Sequence, residues 1–330
     1  MAGALAVTAA DVTRITERLF LTLGDRRRNL TAFWVLLVLA GVIATAGVVA
    51  DSTATVIGAM IVAPLMTPIL GTALALVLAD RRQLATNIAL VVGAAIAVVL
   101  IGFVIGLTVQ IDVVAATNSQ VAGRVSPRLI DLLAAVATGM VGAFALVRPD
   151  VSDTLPGVAI AISLVPPLAV VGLTLESGAA GEAAGALLLF GTNVAAIIAT
   201  GTVVMLAARI RHVAPEAGIR VGRLRGRSLV AVAASLVLVT VPLAAGSVHV
   251  LQEQRLVSQA KPVATSWAEA KGWQVSDVFL RGSSLHVVVI GTPPEPDGGE
   301  LREAFDAEGL SDVEVELTLL VGGSETLDGA

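Results

Sequence analysis

The sequence predicts a mainly α-helical, polytopic membrane protein with about seven spans. The spans form an inverted three-plus-three repeat with proline-broken helices, and a small α+β C-terminal domain follows. Three observations predict this fold class. Hydrophobic residues make up 56% of the 330 residues and charged residues only 14%, which is typical of proteins with many membrane spans. Several apolar segments are long enough to cross a bilayer, and the residues beyond about 250 are strongly acidic.

Charge divides the chain at about residue 250. The part before it carries 16 basic and 12 acidic side chains, whereas the part after it carries 5 and 14. This change predicts a membrane domain followed by a soluble acidic one. The predicted divisions are an N-terminal segment at 1–29, a transmembrane domain at 30–250 (repeats at about 30–108 and 128–208, an additional span at 228–250) and a soluble α+β domain at 251–330.

The N-terminal segment contains an amphipathic pattern over residues 8–24. Val12, Ile15, Leu19 and Leu23 form one apolar stripe, which predicts a helix. Two placements fit this pattern. The helix lies either on the cytoplasmic membrane surface or against the protein's own cytoplasmic loops.

Seven segments reach the roughly 20 apolar residues that a membrane span needs. Arginine is concentrated before the first span and after the second, fourth and sixth. Because basic residues mark cytoplasmic loops, this pattern predicts a cytoplasmic N-terminus and an extracytoplasmic C-terminal domain. The segments cover about residues 31–50, 54–79, 86–108, 128–147, 156–175, 182–208 and 228–250.

An internal repeat appears when residues 51–71 are shifted by 102 onto residues 153–173. Asp51 then matches Asp153, and Pro64 matches Pro166. Each copy is the middle span of three. An odd number of crossings places the two triplets in opposite orientations, which is the pattern of secondary transporters with inverted repeats and interrupted helices.

Two pairs of prolines lie inside these repeated spans, Pro64 with Pro68 and Pro166 with Pro167. A proline has no N–H and frees the carbonyl four residues earlier. Such carbonyls are tolerated at membrane depth only when they are buried in protein or face a water-filled cavity. The prolines therefore indicate either a solute path or a structural kink whose carbonyls are satisfied by neighbouring side chains. The carbonyls predicted to lack helical partners belong to Met60, Pro64, Ile162 and Ser163.

Other polar residues in the apolar segments extend the candidate site. Thr67 before Pro68 is a candidate N-cap for a half-helix. Thr192 and Asn193 lie near the middle of the sixth span, where a polar side chain either binds a ligand or joins helices. Asp51 and Asp153 are candidate helix caps or gates at opposite mouths of the path. Small residues four apart, such as Gly102 with Gly106 and Gly181 with Gly185, predict close helix contacts.

The acidic domain has alternating helical and strand patterns in the order αββαβ. The helical segments are 255–273 and 299–310, and the strand segments are 274–282, 284–292 and 312–322. An acidic face on the second helix is the expected appearance of a solvated surface.

Several functional classes lack support in this sequence. The chain contains no cysteine and only three histidines, so neither disulfides nor a metal site is predicted. No catalytic or nucleotide-binding motif appears, so we expect neither an enzyme nor a bound cofactor. The short arginine clusters are accounted for by topology, and no nucleic-acid partner is expected.

The residues "DSTATVIGAMIVAPLMTPILG", "LLAAVATGMVGAFAL", "LPGVAIAISLVPPLAVVGL" and "GALLLFGTNVAAII" resemble a prokaryotic family. This is the uncharacterized hydrophobic domain, or domain of unknown function 389, and the resemblance covers about residues 30–210. It implies an integral membrane protein of bacterial or archaeal type, expected in a bacterial-type cell (inner) membrane, and it implies no substrate or site residue. The acidic domain lies outside it.

The leading functional hypothesis is a transporter or channel for an ion or small polar solute, with a path at the broken second and fifth spans. The lack of a buried lysine or arginine there favours a cation or a neutral solute. The alternative is a membrane sensor or scaffold whose extracytoplasmic domain binds a partner. The expected partners are the lipid bilayer, the unknown solute and further copies of the chain.

Overall fold

A computed structural model describes residues 7–127, 129–148, 164–222, 255–281 and 284–322. The chain divides into two compact units, residues 1–247 and 248–330. The predicted seventh span and the first half of the fifth lie outside the described residues.

Ten helices occupy the described part of the first unit. They are α1 (Ala9–Leu19), α2 (Arg26–Val49), α3 (Thr53–Val62), α4 (Met66–Leu78), α5 (Arg81–Gly106), α6 (Ser119–Val125), α7 (Leu129–Val147), α8 (Val165–Glu176), α9 (Ala180–Ala207) and α10 (Ile210–Val213).

Apolar helices of membrane-spanning length in this unit are compatible with a membrane protein, as the sequence predicts. Among the described residues, α2, α5, α7 and α9 are long and apolar enough to cross a bilayer by length and composition. The pair α3 and α4 adds a fifth if its two bent halves form one span, and α8 is a shorter apolar helix. These helices correspond to six of the seven predicted segments.

Carboxylate caps set the starts of two of these long apolar helices. Asp25 accepts a hydrogen bond from the Arg28 N–H (3.1 Å) at the start of α2. Asp80 accepts from the N–H groups of Arg82 (3.0 Å) and Gln83 (3.1 Å) at the start of α5. Both carboxylates satisfy first-turn donors that have no partner within the helix.

The structure decides between the two placements of the amphipathic segment. Thr8 and Asp11 form a capping box at the start of α1, and the apolar side chains of Val12, Ile15 and Leu19 are almost completely buried. The helix packs against α4, α7 and α10. Three residues of the predicted stripe are therefore covered by the protein itself, whereas the fourth, Leu23, lies beyond the end of α1 and is 37% exposed.

The helical unit has two ends that differ in charge. At the basic end, Arg14 donates to the Leu146 carbonyl (3.0 Å) and Arg211 to the Val77 carbonyl (2.9 Å). These bonds bring together the C-terminal ends of α4, α7 and α9. At the acidic end, the loop after α5 bonds to Ser177 and Glu182, at the end of α8 and the start of α9. Arginines outnumber carboxylates at the basic end, with Arg14, Arg18, Arg26, Arg27, Arg28, Arg81, Arg82, Arg148, Arg209 and Arg211 against Asp11, Glu17, Asp25, Asp80 and Glu216. At the acidic end the described charges are Asp51, Asp112, Asp131, Glu176 and Glu182 against Arg124.

Glycine permits a close helix approach between α5 and α8. A Cβ at Gly172 would contact the Val99 carbonyl and lie 2.6 Å from the Phe103 nitrogen. A Cβ at Gly102 would lie 2.6 Å from the Ala169 carbonyl oxygen. The predicted close contact at Gly102 is thus confirmed. Gly181 is different, since a Cβ there would have no atom within 4 Å.

The second unit contains the small sheet that the sequence predicts. A helix over residues 255–270, here α11, precedes β1 (Gln274–Arg281) and β2 (Ser284–Gly291). Then follow α12 (Gly298–Ala307) and β3 (Glu314–Val321). The strand order is β1-β2-β3, with β1 and β2 antiparallel and β2 and β3 parallel.

One face of this sheet forms a separate core with the two helices. Alternate β2 residues Leu285, Val287 and Val289 are buried together with Trp273 and Phe305. The alternation follows from the two-residue period of a strand. The other face exposes Phe279 and Ile290 by 38% and 41%, so it is less covered than the first by the described residues of this unit.

We expect residues 251–322 expressed alone to form a soluble, marginally stable domain. About 70 residues with one small core and no disulfide support only a few kcal/mol of stability. Circular dichroism should show mixed helix and strand, and thermal unfolding should be cooperative. A random-coil spectrum would contradict this expectation and would mean that the domain needs the rest of the protein to fold.

Candidate functional site

The second predicted span is broken at Pro64. Helix α3 ends at Val62 and α4 begins at Met66, and the two halves are bent by 47°. Pro64 cannot donate to the Met60 carbonyl, so the α-helical hydrogen-bond series is interrupted there. Ala63 is already extended, with ψ of 124°. The residues before the proline are commonly driven out of helical geometry in this way.

The structure corrects the predicted start of the second half-helix. The N-cap is Leu65, with no side-chain hydrogen bond, and not Thr67. The Thr67 N–H donates to the Pro64 carbonyl (3.3 Å), so that carbonyl, predicted to lack a partner, has one. Pro68 is accommodated as the third residue of α4 because first-turn N–H groups need no helical acceptor. Its carbonyl accepts from the buried Thr72 hydroxyl (2.8 Å).

The proline pair of the fifth span lies at the start of α8. Leu164 is the N-cap, Val165 is the first helical residue, and Pro166 and Pro167 follow in the same turn. All of these side chains are buried. Within the described residues the pair therefore begins a helix and does not interrupt one. Ile162, Ser163 and Asp153 lie outside the described residues.

Asn193 and Thr192 lie on an unbroken helix, α9. The Asn193 side chain is only 3% exposed, in agreement with its expected position inside the apolar region. The Thr192 hydroxyl donates to the Leu189 carbonyl (3.0 Å) of its own helix. Both α9 and α5 pack against α4 and against α8. Each of these two long helices thus contacts both α4 and α8.

Asp51 lies at the acidic end and binds a helix that the sequence analysis did not predict. Its Oδ1 accepts from the Ser119 hydroxyl (2.7 Å) and from the Gln120 N–H (3.1 Å), in the first turn of α6. The hydrogen bond from Ser119 is the main reason that the pKa of Asp51 is below its usual value. Ser52, and not Asp51, is the N-cap of α3. The predicted capping role is therefore wrong for Asp51, and its role as a gate stays a prediction.

Helix α6 and the loop before it contain polar residues that the sequence analysis missed. Asn118 caps α6 by accepting from the N–H groups of Gln120 (2.9 Å) and Val121 (3.0 Å). Its Nδ2 donates to the Val48 carbonyl (2.7 Å) at the end of α2. The signal was present in "TNSQ", because asparagine or serine before a short apolar stretch is typical of a helix start.

Comparisons with known proteins agree with the helical unit. Residues 60–199 match the model of the family described as Domain of unknown function (DUF389). The predicted resemblance is confirmed. The matched DUF389 segment runs from the end of α3 through the first 20 of the 28 residues of α9, so it contains both proline pairs and Asn193.

A relative of this chain is the uncharacterized protein MJ0678 of Methanocaldococcus jannaschii. The two are 31% identical over 174 residues, which is 52% of each chain. The matched region thus spans about half the length of the relative. No solved structure matches the chain.

Proposed function

We propose that the protein carries an ion or small polar solute across the membrane, as a transporter or a channel. The path would run past the break between α3 and α4 and past the start of α8. Its candidate residues are Met60, Pro64, Thr67, Pro68, Ile162, Ser163, Pro166, Pro167, Thr192 and Asn193, with Asp51 and Asp153 at its mouths.

One observation carries this proposal: two half-length helices begin at about the middle of the unit and run toward opposite ends. Helix α5 has 26 residues and α4 and α8 have 13 and 12, so they span about 39, 20 and 18 Å. Arg211 at the basic end binds the last turn of α4. Ser177, directly after α8, is bound at the acidic end. Two half-helix N-termini near mid-depth are the arrangement of many transporter binding sites.

The helix bounds also support an inverted repeat. Helix α4 begins at Met66 and α8 begins 99 residues later at Val165; α5 and α9, which follow them, begin at Arg81 and Ala180, again 99 residues apart. A residue with a left-handed backbone conformation lies between α4 and α5, namely Ala79 (φ 53°), and another lies between α8 and α9, namely Gly178 (φ 74°). A shift of 99 residues matches Pro68 with Pro167. It is three residues shorter than the shift of 102 that matches Pro64 with Pro166 in the sequence.

The chemistry of the half-helices bears on the class of solute. The positive end of a helix dipole at each N-terminus favours an anion. However, Pro68, Pro166 and Pro167 supply no N–H there, and the Thr67 N–H is already bonded to the Pro64 carbonyl. The expectation of a cation or neutral solute came from the lack of a buried lysine or arginine at the path, and the Pro64 carbonyl, a predicted cation ligand, is bonded to the Thr67 N–H. A screen should therefore include anions as well as cations.

The first test is flux through the purified full-length protein in liposomes. Rubidium, chloride, phosphate and glycerol sample cations, anions and neutral solutes, and protein-free liposomes give the background. Protein-dependent flux of any of them would support the proposal. Background rates for the whole panel would count against it.

A sensor or scaffold is the second candidate function, supported by the second unit. The less covered face of its sheet exposes Phe279, Ile290 and Leu320, the last by 45%. An apolar surface of this kind is typical of protein interaction sites. Homo-oligomerisation, the absence of enzymatic activity and the absence of a cofactor stay predictions of the sequence.

The orientation of the helical unit in the membrane can be tested with single introduced cysteines, because the sequence contains no native cysteine. Arginine marks the cytoplasmic side, so we expect the basic end to face the cytoplasm. A membrane-impermeant maleimide should label Ala116→Cys at the acidic end in intact cells. It should label Glu216→Cys, in the segment after α10, only after permeabilisation. Both positions are exposed. Equal labelling of both in intact cells would contradict the proposed topology.

A further inference from the structure

The loop after α5 and helix α6 close the acidic end of the helical unit. We refer to residues 107–125 as the α6 segment. On one side it is bonded to the junction of α2 and α3. Asn118 donates to the Val48 carbonyl (2.7 Å), Ser119 to Asp51 (2.7 Å) and the Gln120 side chain to the Thr53 hydroxyl (2.9 Å). Each partner precedes or begins the broken second span.

On its other side the α6 segment is bonded to the junction of α8 and α9. The Val113 N–H donates to the Ser177 hydroxyl (3.1 Å), and the Ala115 N–H donates to the Glu182 carboxylate (2.9 Å). At Gly185 there is no space for a Cβ next to the Val125 carbonyl. The segment is thus the connection between the two proposed halves of the repeat at this end.

Two apolar side chains of the segment fill the space between the halves. Val113 and Val121 are 4% and 0% exposed. They belong to one buried cluster with Met60 of α3 and with Val170 and Val171 of α8. Met60 precedes the break at Pro64 by one helical turn. The valines therefore lie over the acidic-end approach to the proposed path.

We propose that the α6 segment is the gate of the path at the acidic end and that it is closed in this structure. This inference depends on the proposed transport function, because it names how access to that path is regulated. Opening requires the hydrogen bonds to Asp51 and Glu182 to break and the valines to leave the buried cluster that also contains Met60. Single hydrogen bonds of this kind contribute modestly because water replaces them, so the contact can open and close reversibly.

The gate can be locked chemically because the chain contains no cysteine. The Asp51 and Ser119 side chains touch, so Asp51→Cys with Ser119→Cys places two thiols together across the gate. After oxidation to the disulfide, flux of the solute identified in the liposome screen should fall at least tenfold. Reduction with dithiothreitol should restore it. The controls are Asp51→Cys alone and Ser119→Cys alone, which cannot form this disulfide and whose flux should not respond to the oxidant.

A second measurement tests the gate without transport. A water-soluble maleimide should label a Met60→Cys variant slowly, because Met60 is 8% exposed. Adding Asn118→Ala removes the α6 cap and the bond to Val48, and the labelling rate should rise at least tenfold. Adding Thr117→Ala instead should leave it unchanged, because this exposed hydroxyl bonds only within its own loop.

The two measurements separate the gate from the transport function. Wild-type flux through the fully oxidised cysteine pair would overturn the gate, and so would an unchanged labelling rate with Asn118→Ala. A further outcome is that Asn118→Ala speeds the labelling of Met60→Cys in a protein that carries none of the four solutes. That result would show that the α6 segment covers Met60 reversibly, and it would reject the proposed transport function.

Discussion

Replacement of Pro64 by alanine is expected to abolish solute flux while leaving the protein folded. Alanine supplies an N–H that can bond to the Met60 carbonyl and removes the clash of the proline ring. In an ordinary helix this change is worth on the order of 3 kcal/mol. Residues 53–78 could then form one continuous helix, and the half-helix N-terminus at Leu65 would disappear.

Flux in liposomes and thermal unfolding of the same purified variant check this prediction. The transition temperature should be equal to or higher than that of the wild type, so that the loss of flux cannot be attributed to unfolding. Pro215→Ala is a matched control, since Pro215 is exposed in the segment after α10. A folded Pro64→Ala protein with wild-type flux would remove the broken span from the proposed path.

Substitution of Gly172 by leucine is expected to destabilise the helical unit strongly. A Cβ at this position meets the backbone of α5 at Val99, Phe103 and Gly102, the last at 2.8 Å. Backbone atoms cannot rotate away as a side chain can, so α5 and α8 would have to separate. Overpacking of this kind costs on the order of 3 kcal/mol, and the separation also disturbs the packing of both helices with α2.

Gly181→Leu is the control for this substitution, because it introduces the same side chain where a Cβ has no neighbour within 4 Å. Thermal unfolding in detergent should show a large decrease in transition temperature for Gly172→Leu and little change for Gly181→Leu. Equal transition temperatures would show that the approach of α5 and α8 does not limit stability.

The long helices were predictable because their signal is local. An apolar run of span length forms a helix in lipid, since no other single-segment structure satisfies its backbone groups. The predicted segments 31–50 and 182–208 therefore correspond to α2 and α9. The break at Pro64 was predictable for a similar reason, because a missing N–H is a property of one residue.

The helix starts and the roles of single polar residues were less predictable. Thr67 has the chemistry of a cap, yet the chain turns two residues earlier and Leu65 takes that position. Asp51 has the same chemistry, yet it binds Ser119, which is 68 residues away in the sequence. A pattern along the chain contains no information on which distant donor a carboxylate will meet.

The sequence by itself determined that this chain has a set of apolar helices, a proline break in the second span and an acidic αββαβ region. Each follows from hydrophobicity, backbone chemistry or strand and helix periods, which act over a few neighbouring residues. Only the tertiary structure decided that α1 packs on the protein, that α5 meets α8 at glycine and that α6 covers the acidic end. These contacts join residues that are tens of positions apart, and the free energy that selects them comes from complementary surfaces and paired donors.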